Sequence, residues 1–234
     1  MKGSNRYFDL ENLEITCLDL FKAGAETTST TILWAILYLV KYQDVQENCY
    51  QEVLSVTGDD RPNLQHSLPY CQATIFEIQR MACVAPQAIP HRCLHNAMQT
   101  SLNENSLRAT KDVNVEGYDV PRDSLVMINL WWLMKDPEHW EDPLMFRPER
   151  FLDKIETSWK LRKKERLVPY GIGRRVCMGE SLAKDTLFIF VTTLIKNLKF
   201  VNPENHPKPD PESYNDGFTL IPHPFYVNIQ KRAQ

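Results

Sequence analysis

Apolar residues recur at three- and four-residue spacing through Leu10, Leu13, Cys17, Leu20, Phe21 and Ala25, which predicts one face of a long helix. Asp9 stands where an N-cap belongs, and the helical pattern runs on to about Val40. A second helical pattern covers Tyr42 to Leu54 with acids and amides outward, and Gly58-Asp-Asp-Arg-Pro62 ends it with turn chemistry. Pro69 precedes a third, from Tyr70 to about Met81. Prolines exclude helix from Val84 to Arg92, which reads as extended chain. The stretch Val113 to Pro121 alternates and turns as a strand pair does, and Ser124 to Leu130 predicts another strand. Asp136 to Pro169 is punctuated by proline and reads as irregular coil. A last helix follows Gly179 through Leu182, Ala183, Leu187, Phe188 and Val191 and ends near Asn197; short strands about a turn at Gly217 close the chain. The sum is a mainly α fold with a small β-sheet (α+β).

Composition narrows the function. At 234 residues the chain can bury a sizeable core, and 27 basic against 30 acidic residues give no reason to expect nucleic acid or another polyanion as partner. The six cysteines show no Cys-x-x-Cys spacing, which disfavours a zinc or redox-thiol module and a disulfide framework, and fits reduced thiols facing the cytosol. The longest uncharged apolar run, Thr30 to Val40, is too short to cross a bilayer. No P-loop or GxGxxG appears, hence no sign of a fused reductase domain.

Chemistry concentrates in Tyr170-Gly-Ile-Gly-Arg-Arg-Val-Cys-Met-Gly179. Gly171, Gly173 and Gly179 allow a sharp turn and close approach to something bulky and flat. Cys177 falls at the mouth of the last helix, whose dipole, with Arg174 and Arg175, favours a thiolate. A thiolate on such a turn is a suitable axial ligand for haem iron. A cysteine in a glycine-rich turn is by itself more often a small buried group. The complete pattern, however, resembles the haem-binding loop of the cytochrome P-450 family, Phe-x-x-Gly-x-Arg-x-Cys-x-Gly. It departs only at Tyr170, which replaces Phe and adds a hydroxyl beside the thiolate.

The resemblance gives other stretches a meaning. Ala23-Gly-Ala-Glu-Thr-Thr28 interrupts the first helix, where Gly24 costs about 1 kcal/mol against alanine and so should make room for something. Close helix packing is the plain reading; the family's oxygen-groove motif is the implied one. Thr27 would then hydrogen-bond dioxygen or a water, and Glu26 would feed protons. Glu77 and Arg80, spaced i, i+3, alone read as a surface pair. With Arg147-Pro-Glu-Arg-Phe151 they are similar to the family's Glu-x-x-Arg helix and its partner, which implies a buried network of Glu77, Arg80 and Arg150. By the same resemblance Ala23, Val84 to Ile89 and Phe218 line a substrate pocket. Arg175, with His91 or Arg92, reaches the haem propionates.

The implied protein is a monooxygenase using haem b (iron protoporphyrin IX), a small apolar substrate and an NADPH-dependent flavoprotein reductase. The chain looks most like the microsomal group of vertebrate drug- and steroid-oxidising members and insect hormone enzymes. Those lie on the cytosolic face of the endoplasmic reticulum membrane by an N-terminal anchor. They are roughly twice as long, so residues 1–234 resemble only the C-terminal half of the fold, and the start at Met1 looks like a fragment or alternative product. The competing expectation is a truncated, catalytically silent chain, its apolar faces bare around Leu33–Leu37 and Leu187–Leu194. Two further departures stand out: Met134 where the family often has His, and the polar stretch Ala97 to Ala109 where it has a few residues. The basic run of Lys160, Arg162, Lys163, Lys164 and Arg166 reads as a solvated loop or as a face that steers an acidic reductase. Ala97–Ala109 reads as an inserted surface loop, since loops absorb length at small entropic cost. Limited proteolysis should therefore nick the chain within Met98–Arg108 first, and protection there would contradict the insertion.

Overall fold

The computed structural model describes residues 9–88, 112–155, 158–162 and 165–232. Helix α1 (Leu10–Lys41) starts at Asp9, whose carboxylate accepts from the backbone N–H of Asn12 at 2.8 Å. It is followed by α2 (Gln43–Thr57), which runs three residues beyond the expected end to stop at Gly58, and α3 (Pro69–Ala82), with proline in its first turn. Strands β1 (Val113–Val115) and β2 (Tyr118–Val120) form the expected hairpin. A four-residue helix, α4 (Leu130–Leu133), precedes a second antiparallel pair, β3 (Leu152–Ile155) and β4 (Ser158–Leu161). Then come α5 (Glu180–Asn197), β5 (Leu198–Val201), β6 (Tyr214–Asn215), β7 (Ile221–Pro222) and β8 (Asn228–Lys231). β5 pairs with β8 and β6 with β7, both antiparallel. The chain is thus mainly helical with small two-stranded sheets.

Two expectations need correction. Ser124 to Leu130 is not a strand: Asn129 makes one isolated bridge with Gln87, and Leu130 already begins α4. Residues of strand-like composition need a facing ladder, and among the described residues only Ala88 N–H to the Ile128 carbonyl and Trp131 N–H to the Pro86 carbonyl flank the bridge. Nor is Asp136 to Pro169 all coil, because it holds the β3–β4 pair.

The second half of α1 carries the core. Trp34, Leu37 and Tyr38 are buried with Ile78 of α3, Leu187 and Ile195 of α5, and Phe200 of β5. Tyr38 stacks on Phe146 with ring centroids 4.6 Å apart. Buried Gln46 of α2 bonds the strand edge directly. Its amide donates to the Leu39 and Phe200 carbonyls (2.8 and 2.9 Å), and its carbonyl accepts the Phe200 N–H (2.8 Å). The first half of α1 is different. Leu10 (71% exposed), Leu13, Leu18 and Phe21 (75%) lie open, whereas most of Leu33–Leu37 and the apolar positions Leu187, Phe188 and Val191 are covered. The bare surface is therefore nearer the beginning of α1 than the sequence reading placed it. Among the described residues no helix is long and apolar enough to cross a membrane.

At the centre, α3 carries a buried carboxylate, Glu77. Arg80 meets it through Nε (2.7 Å) and Nη2 (2.8 Å), Arg150 through Nε (3.0 Å), and the Arg147 backbone N–H at 2.9 Å. The Glu77 and Arg80 side chains are fully buried and that of Arg150 is 5% exposed. Arg80 Nη1 also donates to the carbonyls of Met134 and Pro143, both at 2.8 Å, while its guanidinium lies 5.2 Å from the Trp140 ring. The pair is thus no surface contact, because folding of 134–150 over α3 removes its water. Arg80→Met would leave Glu77 under-compensated and two carbonyls without their donor, so we expect a loss of about 3–5 kcal/mol in urea denaturation. A loss below about 1 kcal/mol would mean that this network does not hold the 134–150 segment.

Candidate active site

The glycine-rich turn runs from Tyr170 into α5. Gly171 and Gly173 sit at φ +74° and +77°, a left-handed backbone that side chains rarely adopt. This lets the chain fold back so that the Cys177 N–H donates to the Tyr170 carbonyl at 2.9 Å. Cys177 lies two residues before Gly179, the N-cap of α5, and its sulfur is exposed. A Cβ at Gly179 would stand 3.9 Å from that sulfur, in ordinary contact. Around it Ile172, Met178 and Leu182 are 74–85% exposed, and Arg175 is half-buried. The turn therefore offers a thiol amid apolar side chains, with a guanidinium close in sequence.

Tyr170 faces the other way. Its hydroxyl accepts from Gln79 Nε2 at 2.7 Å, and Lys184 of α5, paired with Glu180, lies over its ring at 5.6 Å. Burial pushes the Tyr170 phenol up to about 12; the Gln79 bond opposes that, and the nearness of Cys177 and Glu180 adds to it. The phenol stays neutral across the physiological range.

A second group gathers on α1. Thr27 donates its hydroxyl to the Ala23 carbonyl (2.8 Å), and Glu26 accepts from Thr219 Oγ1 (2.6 Å). Leu220 beside it is held at both ends: its N–H donates to the Val84 carbonyl (2.8 Å), and its carbonyl accepts from Trp34 Nε1 (2.9 Å). Glu26, Thr27, Val84 and the 217–220 loop thus share one region, with Phe218 exposed at its tip and Ala23 exposed a turn back along α1. The space beside Gly24 is open: apart from its chain neighbours and its own helix backbone, no described atom lies within 4 Å of a Cβ built on it.

Helix α3 links the groups. It carries Glu77 and Arg80 of the network, Gln79 on Tyr170, and leads into Val84. Ile89, His91, Arg92 and the 97–109 stretch lie outside the described residues. Two partners escaped the sequence reading, Gln79 and Thr219, because their contacts span 91 and 193 residues and no local pattern announces them. Met134, in place of the family's His, is buried and acts through its carbonyl on Arg80.

Comparison with known proteins agrees with this architecture. The cytochrome P-450 family model matches residues 1–229. Human cytochrome P-450 2U1 is 40% identical over 233 residues, covering 98% of this chain and 39% of its own length. A 3-ketosteroid oxygenase of Caenorhabditis elegans is 35% identical over 218 residues, covering 92% and 35%. A zebra fish cytochrome P-450 solved with abiraterone superposes with a TM-score of 0.83 at 32% identity, over 100% of this chain and 50% of that one. The chain therefore spans about two-fifths of these curated relatives and half of that solved structure. Matched by the family model along nearly all its length and laid out as half of a solved member, this chain belongs to the cytochrome P-450 family.

Proposed function

We propose that the chain supplies the thiolate and the proton-handling residues of a haem-thiolate monooxygenase acting on a small apolar substrate. The observation that carries this is the exposed Cys177 on a turn bent by Gly171 and Gly173 at the start of α5. The donor set fits iron protoporphyrin IX: one thiol, apolar Ile172, Met178 and Leu182 for a flat ring, and Arg175 for a propionate. Haem held there would supply dioxygen activation, in which two electrons from a reductase and two protons let one oxygen atom enter the substrate and the other leave as water.

The chain's own residues have separate tasks in this reading. Cys177, as thiolate, holds the iron. Glu26 takes protons from solvent, with Thr219 fixing one of its oxygens, and Thr27 offers a hydroxyl beside it. Val84 and Phe218 line the substrate side, and the Glu77–Arg80–Arg150 network keeps α3 in place. The electron donor in this reading is an NADPH-dependent flavoprotein reductase, and the place of action is the endoplasmic reticulum membrane, as the resemblance implies. Of the basic run, Lys163 and Lys164 lie outside the described residues, Arg162 is paired with Asp153, and Arg166 lies 3.6 Å from Asp136. Local acids thus blunt part of the field that would steer a partner. The exposed first half of α1 favours a second reading, a catalytically silent chain that binds haem weakly or not at all.

The decisive test adds haem to the purified chain and reduces it under carbon monoxide. A thiolate-type Soret band that Cys177→Ala abolishes is expected, and an unchanged band in that variant would overturn the proposal. Alkylation gives a parallel readout. Burial pushes the Cys71 thiol up and Cys83 up to about 12, so both stay inert, while exposed Cys17 and Cys177 label; haem should protect Cys177 alone. Haem uptake without substrate oxidation when reductase is supplied would select the silent reading. If reductase docking uses the basic run, raising salt from about 0.05 to 0.5 M should slow electron delivery several-fold, and an unchanged rate would remove that role.

A further inference from the structure

The position where this chain departs from the family's loop pattern is tied to the middle of the fold. Tyr170 touches three things at once. Its hydroxyl accepts from Gln79 at 2.7 Å, its ring lies under Lys184 of α5, and its carbonyl accepts the N–H of Cys177 at 2.9 Å. Gln79 is 7% exposed and stands between Glu77 and Arg80, so its backbone is fixed by the charge network. The backbone bonds within the turn itself are local: Gly171 N–H to Val168, Val176 N–H to Gly173 and Glu180 N–H to Cys177. They shape the turn without setting its height above α3. The two glycines at positive φ add freedom to that height. A phenylalanine at 170 has no oxygen for Gln79 to hold.

We propose that Gln79 is a positioning residue for Cys177, acting through the Tyr170 hydroxyl to fix where the sulfur stands relative to α3. The inference rests on the haem-thiolate reading. It adds that the amide–phenol bond would hold the sulfur in the position from which it ligates the iron. Loss of the bond lets the turn drift and the sulfur–iron contact loosen, while the core keeps its stability.

The experiment is a double-mutant cycle of Tyr170→Phe and Gln79→Leu in the whole chain, with two readouts. In the absence of porphyrin, hydrogen exchange of the Cys177 amide should quicken about fivefold in each single variant and no further in the double, the size expected for one net hydrogen bond. The Ile78 amide, in the core of α3, serves as control and should not change. In the haem-loaded, reduced chain under carbon monoxide, conversion of the thiolate-type Soret band to the thiol type should quicken by a similar factor, again without addition in the double. Unchanged exchange at Cys177, additive effects, or faster exchange with an unchanged band would each overturn the proposal; the last would reduce the bond to local packing. Should the unmutated chain take up no haem, or Cys177→Ala keep the band, the haem reading fails, and with it the sulfur–iron role. The exchange cycle would then still decide whether the tether exists.

Discussion

A carboxylate with almost no water around it must be met by positive charge, and Glu77 is met by two guanidiniums and a backbone N–H. Those partners come from α3 itself and from the 147–150 segment, and Arg80 in turn gathers carbonyls from 134, 143 and 145. A stretch of some fifteen residues with little regular structure is thereby held against one face of α3. Because α3 then has only one place to be, everything attached to it inherits that place: the Tyr170 hydroxyl through Gln79, and the closing loop through Val84 and Leu220. The charge network touches none of the residues assigned to chemistry, yet both sides of the site are built out from it.

What the sequence made legible follows from how local each signal is. The start of α1 was readable because Asp9 caps through an amide three residues away, and the end of α3 because Pro86 follows within a few positions. The cysteine turn was readable for the same reason, its glycines and Cys177 lying within ten residues. The β5–β8 pair was not, since Phe200 faces Ile229 across an intervening loop and hairpin. Ser124 to Leu130 misled in the opposite direction, having the composition of a strand but, among the described residues, a single bridge. Glu77 and Arg80 have the spacing of an ordinary surface pair, and only the family resemblance, not the spacing, distinguished them. Gly24 remains unexplained by packing: the space beside it is open.

Helix α1 divides into a covered half and an open half, and the family match runs through both. The chain spans half of the solved zebra fish structure, and the first turns of α1 carry leucines and a phenylalanine with nothing described against them. From about Thr30 onward the helix is enclosed by α2, α3, α5 and the closing strands, so the C-terminal region has a core of its own. The site assembled on α3 depends on that enclosed half, whereas Ala23 to Glu26 lie at its edge.

The fixing of Leu220 at both its N–H and its carbonyl separates two things that loops usually confound. The backbone beside Phe218 is anchored to α1 and to the end of α3, while the Phe218 ring itself projects free at 69% exposure. Bulk, polarity and shape at that tip are therefore open to substitution without disturbing the main chain that bears them. Under the proposed reading, in which Phe218 lines the substrate side, single exchanges at that one residue would alter what is admitted there and leave the architecture underneath as it is.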